Sequence, residues 1–481
     1  MLGFKTLPKT KLKFIAQWLE LFDGPEVELL VSEENSSEML RKQCNGLVTL
    51  IGRVQGERVA FICSDFRIYG GGFGVDNSKR LNRFLHYCNL ENIPALFAID
   101  SMGVKIVEGR KVFCESFKVI PALKKFSENN LLITMSLGRC LGLGVLLYQM
   151  GHYRIALGET NQINLTGQEV FKRFFGEGVD FNDYASAKRQ QEASGLVHEI
   201  VETKQEALEK ISNILGLKFR NKELLKAQQV HIDARVDYKY YTVLDDLLET
   251  KIEIFSQMDK SVQTFIGFKE GQFIGALGNP LGRPNMLGQK TLRKYREALK
   301  LFKSLELPIC TIVDTAGADP RLDQNDRGQI LELTQLAGDL IDYPHFKTGI
   351  VLGRCYGGAS VLSLPDFFGS PVKPIPVKGC KLGIMSNQII ESLLSGSARL
   401  LEEWEEHRQE ETADLDDYKK MGLIDEVYDY QHAGSQFHKL LNEFDQINNP
   451  TDSDELEHLE RRIHRYLSQN YQSSEKSITI Q

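Results

Sequence analysis

Long apolar runs are missing from this 481-residue chain, so no segment is expected to span a membrane. The N-terminus lacks the charged, apolar, small-residue order of a signal peptide, and a cytoplasmic location is expected. No C-x-x-C pair occurs among the eight cysteines, at 44, 63, 88, 114, 140, 310, 355 and 380, which removes the usual zinc ribbon. In a chain this long they are expected to be reduced and mostly buried. Surplus positive charge is absent too: a net charge of −7 gives no reason to expect nucleic-acid binding. There is no G-x-x-x-x-G-K-[ST] phosphate loop, no G-x-S-x-G nucleophile elbow and no H-E-x-x-H pair. None of the ten histidines shows ligand spacing, so no metal is expected.

What the chain does hold is one signature read twice. Leu137-Gly138-Arg139-Cys140-Leu141-Gly142-Leu143-Gly144 answers to Leu352-Gly353-Arg354-Cys355-Tyr356-Gly357-Gly358-Ala359, 215 residues on. Ile99-Asp100-Ser101-Met102-Gly103 answers to Val313-Asp314-Thr315-Ala316-Gly317, and Gly56 to Gly271. Ser194-Gly195-Leu196-Val197-His198-Glu199 answers to Met421-Gly422-Leu423-Ile424-Asp425-Glu426. Matched landmarks in one order at that spacing mean a domain duplication rather than a solenoid. Within each copy, short apolar stretches of strand type alternate with helical ones, which predicts an α/β fold with a largely parallel sheet.

The predicted organisation runs from a preamble (1–45) through a first domain (46–205), a helical connector (206–250), a second domain (251–435) and a C-terminal helix with a disordered tail (436–481). Within the preamble, Leu12, Ile15, Trp18, Leu19 and Phe22 have helical spacing and 26–31 has strand character. The acidic stretch 402–417 is expected to be solvated. Leu456, Leu459, Ile463 and Leu467 space as an amphipathic helix.

A strand that feeds a glycine turn and then a helix leaves backbone N–H groups unpaired at the helix start. Such donors suit an oxyanion, and glycine lets a ligand oxygen approach closely. The first turn offers the amides of Gly142, Leu143 and Gly144, the second those of Gly357, Gly358 and Ala359. Two equivalent turns suggest one site with two carbonyls to polarise. With no metal pair or nucleophile motif, the fitting chemistry is an enolate formed on a thioester.

At these residues the chain resembles the carboxyltransferase subunits of biotin-dependent acyl-CoA carboxylases, which are tandem crotonase-like (ClpP/crotonase) β-β-α superhelix domains. The first copy is similar to the β-type half. Ser64-Asp65-Phe66-Arg67-Ile68-Tyr69-Gly70-Gly71 follows S-x-D-F-T-x-x-G-G, and the run from Asp100 to Gly109 follows D-S-G-G-A-R-x-x-E-G. The second copy is similar to the α-type half, through Tyr295-Arg296-Glu297-Ala298-Leu299, Asp314-Thr315-Ala316-Gly317-Ala318-Asp319-Pro320, Arg327-Gly328-Gln329 and Tyr356-Gly357-Gly358-Ala359. The resemblance implies that biotin, carried by another polypeptide, and a coenzyme A thioester meet between the first domain of one protomer and the second domain of another. It implies a homo-oligomer, dimer or higher, working with a biotin carboxyl carrier protein and a biotin carboxylase. The reaction implied is carboxyl transfer from carboxybiotin to acetyl-CoA or propionyl-CoA through an enolate, with malonyl-CoA and fatty acid biosynthesis as one setting. Oxyanion holes at Gly142-Leu143 and Gly358-Ala359 would serve it. Gly71, Gly72, Ser101, Gly103, Gly317, Tyr356, Gly357 and Val361 would bind substrate, Val361 near the acyl pocket.

Two departures stand out. Leu143 takes a place where the family has glycine and is expected to crowd the ligand approach. Met102 crowds the turn beneath the acyl group. A malonyl-thioester decarboxylase, or a non-catalytic paralogue serving as a complex subunit, are the competing readings.

Overall fold

Two hairpins set the frame. Leu47–Val54 and Glu57–Ser64 pair antiparallel around Gln55 and Gly56, at φ of 53° and 84°. Gln263–Lys269 and Gln272–Gly278 do the same around Glu270 and Gly271, at 51° and 87°. Two consecutive residues at positive φ are the mark of a turn whose twist matches that of its strands. These details come from a computed structural model that describes residues 3–31, 36–176, 178–225, 236–279, 286–363, 372–411, 415–420 and 422–448.

From each hairpin the sheet continues in parallel. In the first, Glu57–Ser64 is followed by Ala95–Ser101, Leu132–Leu141, Tyr153–Leu157 and Glu199–Val201. In the second, Gln272–Gly278 is followed by Ile309–Thr315, Lys347–Tyr356 and Ile375–Pro376. Helices Val75–Leu90 and Val119–Asn129 make the crossovers of the first half, Gln289–Ser304 and Gln329–Ile341 those of the second. This is the duplicated α/β architecture that the repeat predicted. Late in each half the long strand turns to pair with a short one: Arg139–Leu141 with Gln162–Asn164, and Arg354–Tyr356 with Lys381–Gly383.

The first 45 residues add two antiparallel strands, Gly3–Pro8 and Glu26–Val31, to the edge of the first sheet. The stretch predicted as one helix is Lys9–Leu21, a run of tight turns broken at Leu12 and Ile15. Its apolar positions still face inward, with Leu12, Ile15, Trp18 and Leu19 buried. Burial of that face is what the spacing encoded; the backbone winding was not.

Strands covered on both faces read as near-continuous apolar runs. Leu47–Val54 is one, buried everywhere but at Arg53. One face of the first sheet packs on its own helices through Leu81, Phe84, Leu123, Phe126 and Leu147. The other face joins a core shared by both halves, through Ile211 and Leu215 from Lys204–Lys218 and Leu292, Tyr295 and Phe302 from Gln289–Ser304. The second sheet is capped by Tyr238–Leu247 and Ala433–Asn448 through Leu244, Phe437 and Leu441. No helix among the described residues is long and apolar enough to cross a membrane. The expected amphipathic helix at 456–467 lies outside the described residues.

Candidate functional site

The repeated landmarks fall at repeated places. In each half the parallel pairing skips one residue on the first strand and three on the next, so that Asp100 stands against the bulged stretch 137–139 and Asp314 against 352–354. The skipped carboxylate reaches across to the next strand: Arg139 N–H donates to Asp100 Oδ1 at 3.0 Å, and Arg354 N–H to Asp314 Oδ1 at 3.0 Å. A bulge of this kind re-aims the residues that follow it. Gly138 and Gly353 lie against those carboxylates: a Cβ at Gly353 would collide with Asp314 Oδ1 at 2.5 Å, whereas one at Gly138 would only touch Asp100 Oδ1, at 3.4 Å. Burial raises the pKa of Asp100, against the Arg139 amide and charge.

After the bulge each chain folds back. The Ser101 hydroxyl accepts from Gly103 N–H at 3.1 Å, and the Thr315 hydroxyl from Gly317 N–H at 3.2 Å. Gly103 and Gly317 hold φ of 103° and 107°, which only glycine adopts easily. A Cβ on Gly103 would lie 3.6 Å from Gly142 Cα, and one on Gly317 3.0 Å from the Tyr356 carbonyl. The fold thus brings Ser101 and Gly103 against the first glycine turn, and Thr315 and Gly317 against the second. Gly71 joins the first group, because its Cα side faces the Asp100 carbonyl too closely for any Cβ. Gly72 packs on Lys105, whose ammonium donates to the Asn45 carbonyl at 2.8 Å and its side-chain oxygen at 2.7 Å. Met102 is half exposed and lies over Gly70.

The turns themselves match at Gly142 and Gly357, with φ of 57° and 55°. Leu143 is therefore the counterpart of Gly358, and Gly144 of Ala359. Helix Leu143–Gln149 begins after the first, and the tighter Gly357–Leu362 at the second. Leu143 and Gly144 stand in a first helical turn, where no intrahelical carbonyl reaches their amides. Gly142 differs: its N–H donates to the Asn164 carbonyl at 3.2 Å, extending the pairing with Gln162–Asn164. Sequence reasoning could not see that bond, because Asn164 lies on a strand too short to show a pattern.

The expected crowding by Leu143 is corrected here. Its side chain is only 4% exposed and belongs to the apolar core with Val145, Leu147 and Tyr148. The added bulk goes into packing rather than toward a ligand. At Gly358 a Cβ would meet Leu333 Cδ2 at 3.2 Å, so that turn sits tight against helix Gln329–Ile341. Tyr356 is half-buried and packs on Gly383, with its hydroxyl pKa raised by burial. Val361 follows within the same tight turn, and its side chain lies outside the described residues. Cys140 and Cys355 are buried beneath the turns, their thiols pushed up by desolvation, in the second case to about 11. Both are poor nucleophiles in that state.

Two further motifs meet where the halves join. Arg154 donates to Glu297 Oε2 at 2.8 Å, both side chains being almost fully buried. The same guanidinium donates to the carbonyls of Leu196 at 2.6 Å and Gly195 at 3.2 Å. Arg293 reaches the Ser194 carbonyl. The Ser194–Glu199 landmark of the first copy and the Tyr295–Leu299 motif of the second are thus two sides of one clasp. His198 is fully buried in it. Its Nδ1 accepts from Arg154 N–H at 3.2 Å, while Nε2 stands 3.3 Å from Glu297 Oε2 but off hydrogen-bond alignment. Desolvation first, then the Arg154 charge, pushes the His198 pKa down to about 3. Arg154, His198 and Lys300 hold the Glu297 carboxyl well below its usual range, although burial alone would raise it.

Comparisons with known proteins bear on the fold and the family. Residues 23–241 match the carboxyl transferase domain family. A propionyl-CoA carboxylase carboxyltransferase subunit of Haloferax mediterranei is 23% identical over 410 residues, covering 80% of this chain and 79% of that one. The biotin-dependent acetyl-/propionyl-coenzyme A carboxylase beta6 subunit of Mycobacterium tuberculosis is 21% identical over 446 residues, 87% of this chain and 92% of its own. Among solved structures, transcarboxylase 12S, described as a hexamer with methylmalonyl-coenzyme A bound, superposes with a TM-score of 0.73 at 19% identity, over 89% of this chain and 88% of the other. The chain has the duplicated crotonase-type fold, and it is a relative of the carboxyltransferase enzymes of biotin-dependent acyl-CoA carboxylation.

Proposed function

We propose that this chain transfers a carboxyl group from carboxybiotin on a separate carrier protein to a short acyl-CoA, acetyl-CoA or propionyl-CoA. The observation that carries the proposal is the pair of glycine turns at equivalent places of a duplicated fold. Each follows a bulged stretch that faces an aspartate, and each lies against a hydroxyl-braced glycine at positive φ. Biotin, when bound, supplies the carboxyl group and the acceptor for the substrate's α-proton. The chain's own part is to hold two carbonyl oxygens. In the second turn the amides of Gly358 and Ala359 donate to one, with glycine leaving the approach open. In the first, the amides of Leu143 and Gly144 take the role expected of Gly142-Leu143, since Gly142 is already bonded. Fixed donors aimed at developing negative charge are worth about 10²–10³ in rate each.

Gly71, Gly72, Ser101 and Gly103 shape the first site; Gly317, Tyr356, Gly357 and Val361 shape the second. Each turn supplies one hole, so the working unit is an oligomer in which a first half faces the second half of another protomer. The carrier and a biotin carboxylase are the expected partners. The half-exposed Met102 above Gly70 supports the second reading, a non-catalytic subunit, since the family resemblance puts the acyl group near this turn. One assay decides: purified chain with carboxylated biotin carrier and acetyl-CoA or propionyl-CoA. Acyl-CoA-dependent loss of the carboxyl label from the carrier, with label appearing in the acyl-CoA, supports transfer. No transfer with either substrate, while the chain assembles with an active homologue, supports the other.

A further inference from the structure

Behind the second turn, on the far side of Asp314, lies a pocket of about 360 Å³. Its wall comprises Leu352-Gly353-Arg354, the start of helix Tyr238–Leu247, Asn279, and the run from Lys378 to Lys381. Four cationic side chains line it: Lys239, Arg354, Lys378 and Lys381. Asp237 and Asp314 are the only carboxylates among the described lining residues. Both are engaged, Asp237 in capping the helix through Lys239 N–H at 2.9 Å and Asp314 with Arg354. Lys378 pairs with Asp429, but the Lys381 side chain has no ion pair or hydrogen bond among the described residues.

Two buried donors in the same wall also lack partners. Asn279 is 3% exposed and its Nδ2 has none; Tyr240 is 1% exposed and its hydroxyl has none. The hydroxyl sits directly over Gly278, where a Cβ would collide with it, beside Asn279. A buried donor left without an acceptor is destabilising. Surplus cations and orphaned donors around one cavity call for an acceptor-rich anion. The first half shows the place closed: Asp65 holds Arg41 at 2.6 Å and Arg67 at 2.8 Å, and Arg139 stacks on Phe66 at 4.5 Å.

We propose that this pocket of the second half binds a phosphate group, held by Lys239, Arg354 and Lys381 with the Tyr240 hydroxyl and the Asn279 amide. The phosphate belongs either to coenzyme A or to a free phosphorylated compound.

Calorimetric titration of the full-length protein with inorganic phosphate, pyrophosphate and coenzyme A tests it. Phosphate and pyrophosphate bind, pyrophosphate more tightly, and Lys239→Gln with Lys381→Gln weakens both about tenfold or more. Tyr240→Phe leaves unliganded thermal stability unchanged or higher, yet reduces the stabilisation that pyrophosphate gives; a merely structural hydroxyl would do neither. If coenzyme A displaces pyrophosphate and is weakened by the lysine variants, its own phosphate is the occupant. If coenzyme A binds indifferently to both, a free phosphorylated compound is. No binding of phosphate or pyrophosphate at millimolar concentration, or equal affinity in the double lysine variant, overturns the proposal.

Discussion

The turn that ends Leu132–Leu141 and the turn that ends Lys347–Tyr356 share a backbone and differ in what lies under it. At the first, Leu143 sends a buried side chain into the core and Gly142 spends its amide on Asn164. At the second, Gly358 has no side chain and Leu333 fills the space from a neighbouring helix. Duplication has kept the positions of the amides while letting the packing beneath them diverge. A donor's position is set by the backbone, so a glycine can be traded for a leucine when its Cβ vector points inward.

The largest expected effect breaks that comparison at Leu143. Leu143→Gly removes a buried side chain and adds a flexible residue, at a cost of about 3–5 kcal/mol. Denaturant unfolding checks it. A change below about 1 kcal/mol together with a gain in carboxyl transfer would mean that the side chain faces a ligand after all.

Next comes the clasp. Arg154→Met leaves the buried Glu297 with only the half-exposed Lys300, at 2.9 Å, as a cationic partner among the described residues, and removing one partner of a buried pair costs about 3–5 kcal/mol. The replacement should lower the unfolding midpoint and loosen the join between halves, seen as faster amide exchange around 195–198. If Glu297→Gln in the same background restores nothing, the pair is not the source of the loss.

At the second turn, Gly358→Val should lower carboxyl transfer about 10²–10³-fold, as the loss of one oxyanion donor does. Its Cβ starts 3.2 Å from Leu333 Cδ2, so the turn must shift or the leucine must give. Full activity in this variant would remove Gly358 from the site.

Legibility in the sequence follows from what each feature needs. The hairpins, the aspartates that face the bulges and the folded-back Gly103 and Gly317 need glycine or a short polar residue at fixed spacing, and those survive in both copies. The direction of the Leu143 side chain does not, since one residue at a helix start shows no periodicity. Nor does the Gly142 bond, which depends on a three-residue strand. The clasp was present only as two unconnected motifs, because Arg154 and Glu297 are 143 residues apart. The phosphate pocket was invisible for the same reason, its lysines being scattered from 239 to 381.

Titration separates the halves by pH. His198, faced by Arg154, Glu297 and Lys300, is held neutral down to about pH 3, against an ordinary value of 6.5. Between those values the unfolded chain binds a proton that the folded chain does not. Stability therefore falls as pH drops from 6.5 toward 3, by up to about 1.4 kcal/mol per pH unit from this group. In the second half, Lys294 donates to the carbonyls of Asp259 at 2.7 Å and Val262 at 2.8 Å, yet burial pushes its pKa down to about 8 from 10.5. Here too the unfolded chain holds the extra proton, so stability rises with pH between 8 and 10.5. Unfolding midpoints across the two windows should flatten on the acid side with His198→Asn and on the alkaline side with Lys294→Met. An unchanged slope in either variant would assign that window to another group.

The smallest effect is expected where the second half has material the first lacks. The acidic stretch becomes helix Ala398–Glu411 followed by Leu415–Lys420, and Glu402, Glu405 and Asp416 are exposed. The segment is tied to the second half through Leu415, which packs against the shared core, and through the Tyr418 hydroxyl, which donates at 3.0 Å to the carbonyl of Leu382 in the strand that flanks the second turn. Exposed carboxylates away from such contacts change stability by less than about 0.5 kcal/mol when neutralised. Glu402→Gln with Glu405→Gln should therefore leave the unfolding midpoint and carboxyl transfer as they are. Tyr418→Phe, which cuts the tether to Leu382, should disturb the second turn more than both together. Were the two glutamine replacements to abolish transfer without changing assembly, the acidic face would belong to the chemistry and not to the solvent.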